Sequence, residues 1–127
     1  MKSKNKKILV IEDDPFISDV YVLKLESEGY KVDAAENGSV GLEKIKKNKY
    51  DAILLDIVMP ELDGFKVLER IKMMPEFGKI PIIILTNLSQ KEDIQKGFDL
   101  GATDYIIKTK FTPTEVIKTV NKFVGGK

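Results

Sequence analysis

Apolar residues follow two alternating rhythms along the chain. Short runs that are almost wholly apolar are each followed by a stretch where apolar residues return every third or fourth position. The first run, Lys7–Ile11, reads as a buried strand. Asp14-Pro15 then supplies a helix start, with proline at the first helical position. Ile17, Val20, Tyr21 and Leu25 follow at helical spacing, and Gly29 ends that helix. Tyr30–Ala35 is a second, partly alternating strand, and Ser39–Lys47 a second helix with Leu42 and Ile45 facing inward. Asp51–Leu55 is a third strand, apolar on both faces. Pro60 and Asp63-Gly64 break the chain before a helix marked by Phe65, Leu68 and Ile71, which ends before Pro75. Ile80–Leu85 is the fourth strand. Ser89-Gln90-Lys91-Glu92 reads as a capping box opening a fourth helix, closed by Gly101. Asp104–Ile107 is a short fifth strand. Thr112-Pro113-Thr114-Glu115 is a second capping box, and Val116, Ile117, Val120 and Phe123 line the last helix.

Strands alternating with helices predict βαβ units and a parallel sheet. The first, third and fourth strands lack polar alternation, as expected when helices cover both faces of the sheet. Right-handed crossovers leave few topologies. The doubly wound orders place a crevice at the carboxyl ends of the strands, where the winding reverses. The residues just after each strand are therefore the ones to inspect.

Composition narrows the chemistry. The 127 residues suit one domain, divided here into a basic tail at 1–6, a folded unit at 7–124 and a C-terminal tail at 125–127. Without cysteine or histidine there are no disulfides, no thiolate or imidazole metal ligands and no imidazole catalysis. With 21 basic and 20 acidic residues, the net charge of +1 gives no general drive toward nucleic acid or membrane. Lys2, Lys4, Lys6 and Lys7 read as a solvated terminus, because Glu12-Asp13-Asp14 cuts off the apolar run that a signal peptide needs. No stretch approaches the ~20 apolar residues of a membrane span, so a cytoplasmic protein is expected.

After the first strand stand Glu12, Asp13 and Asp14; after the third, Asp56; after the fourth, Thr86 and Asn87; after the fifth, Lys108. In the flavodoxin-like order 2-1-3-4-5 the first and third strands are neighbours at the switch point, so the acids share one pocket closed by Thr86 and Lys108. Carboxylates crowded into a cleft invite a hard divalent cation such as Mg²⁺. Singly, each residue has a plainer reading. Asp14 is a good helix cap, the acidic triplet a polar turn, Thr86 a strand-end threonine and Lys108 a surface lysine. Asp56 is harder to dismiss, since a carboxylate ending an apolar strand is costly to bury unpaired. The argument rests on all of them falling at one end of one sheet.

Asp56-Ile57-Val58-Met59-Pro60-Glu61-Leu62-Asp63-Gly64 matches the D-x-x-M-P-x-x-D-G signature of the receiver domains of two-component response regulators. Ile8–Pro15 resembles the first strand and acidic pair of that family, and Gly101–Lys108 resembles its fifth strand. The resemblance spans nearly the whole chain. It implies a flavodoxin-like (βα)5 fold with a five-stranded parallel sheet, and a phosphorelay switch rather than an enzyme in the ordinary sense. Asp56 would be the phosphoacceptor. Asp13 and Asp56 would hold Mg²⁺ together with the backbone carbonyl of Val58, and Glu12 would act through a water. Thr86 and Lys108 would meet the phosphoryl group, and Tyr105 would follow Thr86 as the switch aromatic. A sensor histidine kinase or histidine phosphotransfer protein would be the donor, and an output domain or target protein the recipient. Val58 and Leu88 stand where relatives often carry polar residues that orient the hydrolytic water. Two features depart from the pattern. Thr109 follows Lys108 in place of a proline with a cis bond, and the charge pattern of DNA-binding regulators is not evident on the last two helices.

Three rivals share parts of this pattern. A flavin binder would need phosphate-cradling Gly, Ser and Thr after the first strand, where three acids stand instead. An aspartyl phosphatase would place a second Asp two residues beyond Asp56, where Val58 stands. A receiver-like interaction module that is never phosphorylated would lack part of the site set.

Overall fold

The computed structural model describes residues 5–124. Its elements are β1 (Lys7–Ile11), α1 (Pro15–Ser27), β2 (Lys31–Ala35), α2 (Gly38–Lys47), β3 (Ala52–Leu55), α3 (Gly64–Lys72), β4 (Ile82–Thr86), α4 (Lys91–Asp99), β5 (Asp104–Ile107) and α5 (Pro113–Val124). The strands form one parallel sheet in the order β2-β1-β3-β4-β5, so the expected architecture holds. The basic Lys2 and Lys4 and the tail at 125–127 lie outside the described residues.

Alternation along each strand divides the core in two. Leu9, Ile11, Ile53, Leu55, Ile82 and Ile84 pack on one face with α2 and α3 residues such as Ile45 and Leu68. Ile8, Val10, Leu54, Ile83 and Leu85 pack on the other with Tyr21 and Leu25 of α1 and Val116 and Val120 of α5. β3 and β4 are buried along their whole length, as central parallel strands under two helical layers must be. The edge strand β2 is only partly covered, which explains its mixed pattern.

The helix ends follow sequence cues with one exception. Asp14 caps α1 by accepting from the amides of Phe16 and Ile17, and in a complete capping box the Thr112 amide donates to Glu115 Oε1 at 2.8 Å and the Glu115 amide to Thr112 Oγ1 at 3.2 Å. The Ser89 box does not form. α4 is capped at Gln90 without a side-chain bond, which puts Glu92 one position too early to reach back. Val20 is also not a core residue. It is 39% exposed, because Ser18, Tyr21 and Leu25 form the inward stripe of α1. β4 starts after Pro81, which has no N–H for the ladder, and runs on to Thr86, which pairs with Ile107 of β5.

A polar clasp ties the open edge of the sheet. The Tyr50 hydroxyl donates to Asp33 Oδ2 at 2.6 Å, and Lys7 Nζ lies 3.4 Å from the same oxygen. The Tyr50 hydrogen bond, aided by Lys7, holds the Asp33 carboxyl below its ordinary 3.8. Asp33 is about a third exposed, so solvent discounts the bond. Tyr50→Phe should cost about 1 kcal/mol, somewhat less than the roughly 1.5–3 kcal/mol of a well-buried hydrogen bond to a charged group. A lowered carboxyl stabilises above its unfolded pKa and loses that contribution as pH falls through the folded value. The acid loss of wild-type stability below pH 3.8 should therefore shrink in the variant, as urea titrations across pH would read.

Candidate functional site

The carboxyl ends of β1, β3, β4 and β5 converge on one polar cluster. Parallel pairing sets Ile11 beside Leu55 and Thr86 beside Ile107, so the next residues, Glu12, Asp56 and Lys108, emerge at the same level. The Asp56 amide donates to the Ile11 carbonyl at 3.0 Å, extending the ladder into the site. Glu12 and Asp56 are each 6% exposed, and Thr86 is wholly buried.

Lys108 bridges the two buried acids. Its Nζ lies 2.6 Å from Glu12 Oε1 and 3.2 Å from Asp56 Oδ2. The remaining carboxylate oxygens are also engaged. Glu12 Oε2 accepts from the Asp14 amide at 3.1 Å, and Asp56 Oδ1 accepts from the Ile57 amide at 2.7 Å. Burial raises the Glu12 carboxyl above its ordinary value, the Lys108 hydrogen bond pulls against it, and the charge of Asp56 adds to the rise. Burial alone would lower Lys108. The Glu12 hydrogen bond and the charge of Asp56 more than offset this, and the ammonium is held above its ordinary pKa. One lysine thus serves two acids, and the site carries an excess of negative charge.

Asp13 completes the cluster from the exposed side. Glu12, Asp13 and Asp56 each offer a carboxylate oxygen, all within 4.8 Å of one another. An all-oxygen donor set with one open side suits Mg²⁺, which binds through one or two carboxylates and keeps waters. Glu12, Asp13 and Asp56 are the residues that could hold it. Val58, expected to add its carbonyl, lies two residues past Asp56 with its side chain 59% exposed.

Local structure fixes this end of β3. The Gly64 amide donates to the Ile57 carbonyl at 2.9 Å. A Cβ at Gly64 would lie 2.2 Å from the Asp56 carbonyl oxygen, so only glycine lets α3 begin this close to Asp56. Asp63 caps that helix through the Lys66 amide. After Lys108 the chain turns through a 3₁₀ segment, Lys108–Lys110, and no cis peptide occurs among the described residues. The Lys108–Thr109 bond is therefore trans.

Thr86 and Tyr105 are joined through the loop after β4. The Leu88 amide points to Thr86 Oγ1 at 3.4 Å, and the Leu88 carbonyl accepts from the Tyr105 hydroxyl at 2.7 Å. Burial, with help from Asp93 and Asp56, pushes the Tyr105 phenol up to about 12. The ring lies under α4 at Gly97, where a Cβ would come within 3.0 Å of it. The apolar side chain of Leu88 packs against the core, unlike that of Val58. Two features of the site were not anticipated from sequence: the Leu88 backbone as the joint between Thr86 and Tyr105, and Ser18, which is 6% exposed on the inward face of α1 beside the acids. A serine at a core-facing helical position is the signal that would have found the second.

Comparison with known proteins converges on one group. The sequence profile described as response regulator receiver domain matches residues 8–121. The transcriptional regulatory protein ResD of Bacillus subtilis is 39% identical over 119 residues, covering 94% of this chain and 48% of ResD. The DNA-binding dual master transcriptional regulator RpaA of Synechocystis is 41% identical over 102 residues, 80% of this chain and 42% of RpaA. The chain thus spans less than half the length of these curated relatives. Among solved structures, the receiver domain of the Francisella response regulator 1452 superposes with a TM-score of 0.88 at 34% identity, covering 95% of this chain and 98% of that one. The Vibrio cholerae chemotaxis protein CheY4 gives 0.87 at 30% identity, with 93% and 98% covered.

Proposed function

The chain belongs to the response regulator receiver domain family, and from that premise we propose that it is a phosphoacceptor switch that takes a phosphoryl group onto Asp56 in a Mg²⁺-dependent reaction. The observation that carries this reading is the setting of Asp56. Glu12 and Asp13 stand at metal-ligand spacing from it, and Lys108 lies 3.2 Å from its Oδ2. The Asp56 carboxylate attacks the donor phosphorus, and the bond from phosphorus to the donor's leaving atom breaks. Bound Mg²⁺ would supply charge neutralisation for the approaching phosphoryl oxygens. Lys108 pairs with one of those oxygens and leaves Glu12 to do so. Thr86 turns its hydroxyl toward another. The donor is a sensor histidine kinase or a phosphotransfer protein, and the recipient an output domain or target protein. Incubation with acetyl phosphate, with and without Mg²⁺, followed by intact mass tests the reading: one added phosphoryl group is expected, and only with the metal.

The signal leaves through Leu88. A shift of Thr86 toward the phosphoryl group moves the Leu88 amide, and with it the carbonyl that holds Tyr105. Thr86→Ala should still be phosphorylated but lose most of the amide NMR shifts around Tyr105 and α4 on adding beryllofluoride. Shifts equal to those of wild type would remove Thr86 from the relay.

Val58 bears on lifetime. Its exposed apolar side chain flanks Asp56 and offers nothing to orient a hydrolytic water, so the phosphorylated state should be long-lived. Val58→Asn should shorten it. Leu88→Glu should shorten it too, but Leu88 packs on the core, so that substitution should cost stability as well. The decay of the phosphorylated mass with time measures both.

A further inference from the structure

Ser18 is the one buried polar side chain of α1, and its hydroxyl has no hydrogen-bond partner among the described residues. A serine inside a helix can bond back to the carbonyl three or four residues earlier, beside the amide that this carbonyl already accepts; the Ser18 hydroxyl makes no such bond. A buried polar group without a partner calls for an explanation. The side chain lines a cleft of about 620 Å³ that runs from Glu12 and Asp13 across to the loops after β2 and β3. Asp19, Glu36 and Glu61 form its exposed rim, and among the described residues no lysine or arginine lines it.

The cleft therefore combines an unengaged buried hydroxyl with a wall of negative charge. Its rim acids are not arranged for a second metal ion. Among the described residues only Glu12, Asp13 and Asp56 bring carboxylate oxygens to metal-ligand spacing. Acids spread around a roomy cleft suit instead a cation with several diverging donors and no strict geometry, as an ammonium or guanidinium group is. Glu12 and Asp13 belong both to this cleft and to the cluster around Asp56, so an occupant arrives beside the phosphoacceptor. Once Mg²⁺ and Lys108 offset the charges of Glu12, Asp13 and Asp56, the rim acids dominate the field that a donor meets.

We infer that this cleft is a cation subsite, with Ser18 at its floor and Asp19, Glu36 and Glu61 at its rim, that takes a positively charged side chain of the phosphodonor and so favours donors with an arginine or lysine beside the phosphorylated group. The inference rests on Asp56 being the phosphoacceptor. It makes the site selective by charge: small dianionic donors meet the rim acids unassisted, and cation-bearing donors are drawn in.

The test has two arms, both on the full chain with saturating Mg²⁺. In the first, n-butylguanidinium is titrated while amide NMR is recorded. Saturable shifts at Ser18, Asp19, Glu36 and Glu61 are expected, weakened in Ser18→Ala and in the double variant Asp19→Asn with Glu61→Gln, whose exposed positions leave the fold intact. In the second, histidine peptides phosphorylated with phosphoramidate and differing only in Arg or Ala beside the histidine serve as donors. Transfer from the Arg peptide should be about 2- to 5-fold faster, the worth of an exposed charge pair, and the ratio should fall to about one in the double variant, while acetyl phosphate transfer does not slow. An unchanged ratio in the double variant, or no saturable guanidinium shift, overturns the subsite. Extra Mg²⁺ displacing the guanidinium from wild type would show a second metal site in its place and overturn it equally. If no donor phosphorylates Asp56, the phosphoacceptor reading fails, and the subsite as a donor site fails with it; the guanidinium arm then separates cation binding from transfer.

Discussion

Lys108→Ala should lower the metal-free melting temperature by roughly 10 °C. Lys108 is the shared counter-ion of Glu12 and Asp56, whose side chains are 6% and 8% exposed. Removing one partner of a buried ion pair costs about 3–5 kcal/mol, because the other charge is left unpaired. The site opens to solvent at Asp13, so about 2–4 kcal/mol is the expected loss, at about 3–5 °C per kcal/mol for a domain of this size. The pH dependence has a definite sign. A lysine whose pKa is raised on folding contributes fully below its unfolded value and loses that contribution as pH rises through the folded one. The wild type should therefore fall toward the variant above pH 10.5. Acid narrows the gap from the other side, since Glu12 takes up a proton more readily in the fold than its ordinary 4.5 implies. Millimolar Mg²⁺ should also narrow it. Asp13→Ala, at an exposed position, should raise metal-free stability slightly and erase the Mg²⁺ effect. Thermal melts in EDTA and in Mg²⁺ read all of this. A Lys108→Ala protein as stable as wild type in EDTA would mean that the acids are neutralised by some other route.

The second large effect is on chemistry. Asp56→Asn should abolish phosphoryl uptake, because the amide replaces the only carboxylate that Lys108 and the acidic pair address together. Asp13 is exposed and lies off the lysine. Intact mass with several donors checks the claim, and uptake by the Asn variant equal to that of wild type would sink it.

The fold was legible because strand and helix periods alternate cleanly and because caps and breakers stand at the ends of the periodic stretches. Asp14, Asp63, and the Thr112 and Glu115 pair all cap as their chemistry dictates. Local signals failed where two patterns competed. Ser89 is a better cap than Gln90 by residue type, yet packing starts α4 one residue later. Val20 fits a helical stripe, but the stripe through Tyr21 and Leu25 is the one that meets the sheet. The ionisable cluster was readable because parallel register brings every strand end to one level. Its wiring was not. That Lys108 spans both Glu12 and Asp56, or that Tyr105 reaches a backbone carbonyl of the β4–α4 loop, depends on side-chain rotamers and loop path that no residue pattern specifies. Ser18 is marked by its place on the inward face of α1 and not by its type, since a serine carries no hydrophobic period of its own.

The most direct measurement is the location of the modification. After treatment with acetyl phosphate and Mg²⁺, borohydride reduces an aspartyl phosphate to homoserine, which peptide mapping places in the sequence. Homoserine at position 56 alone, and only when Mg²⁺ is present, is the expected result. Homoserine at Asp13 or elsewhere, equal labelling in EDTA, or none under any condition would contradict the assignment of Asp56 as the phosphoacceptor.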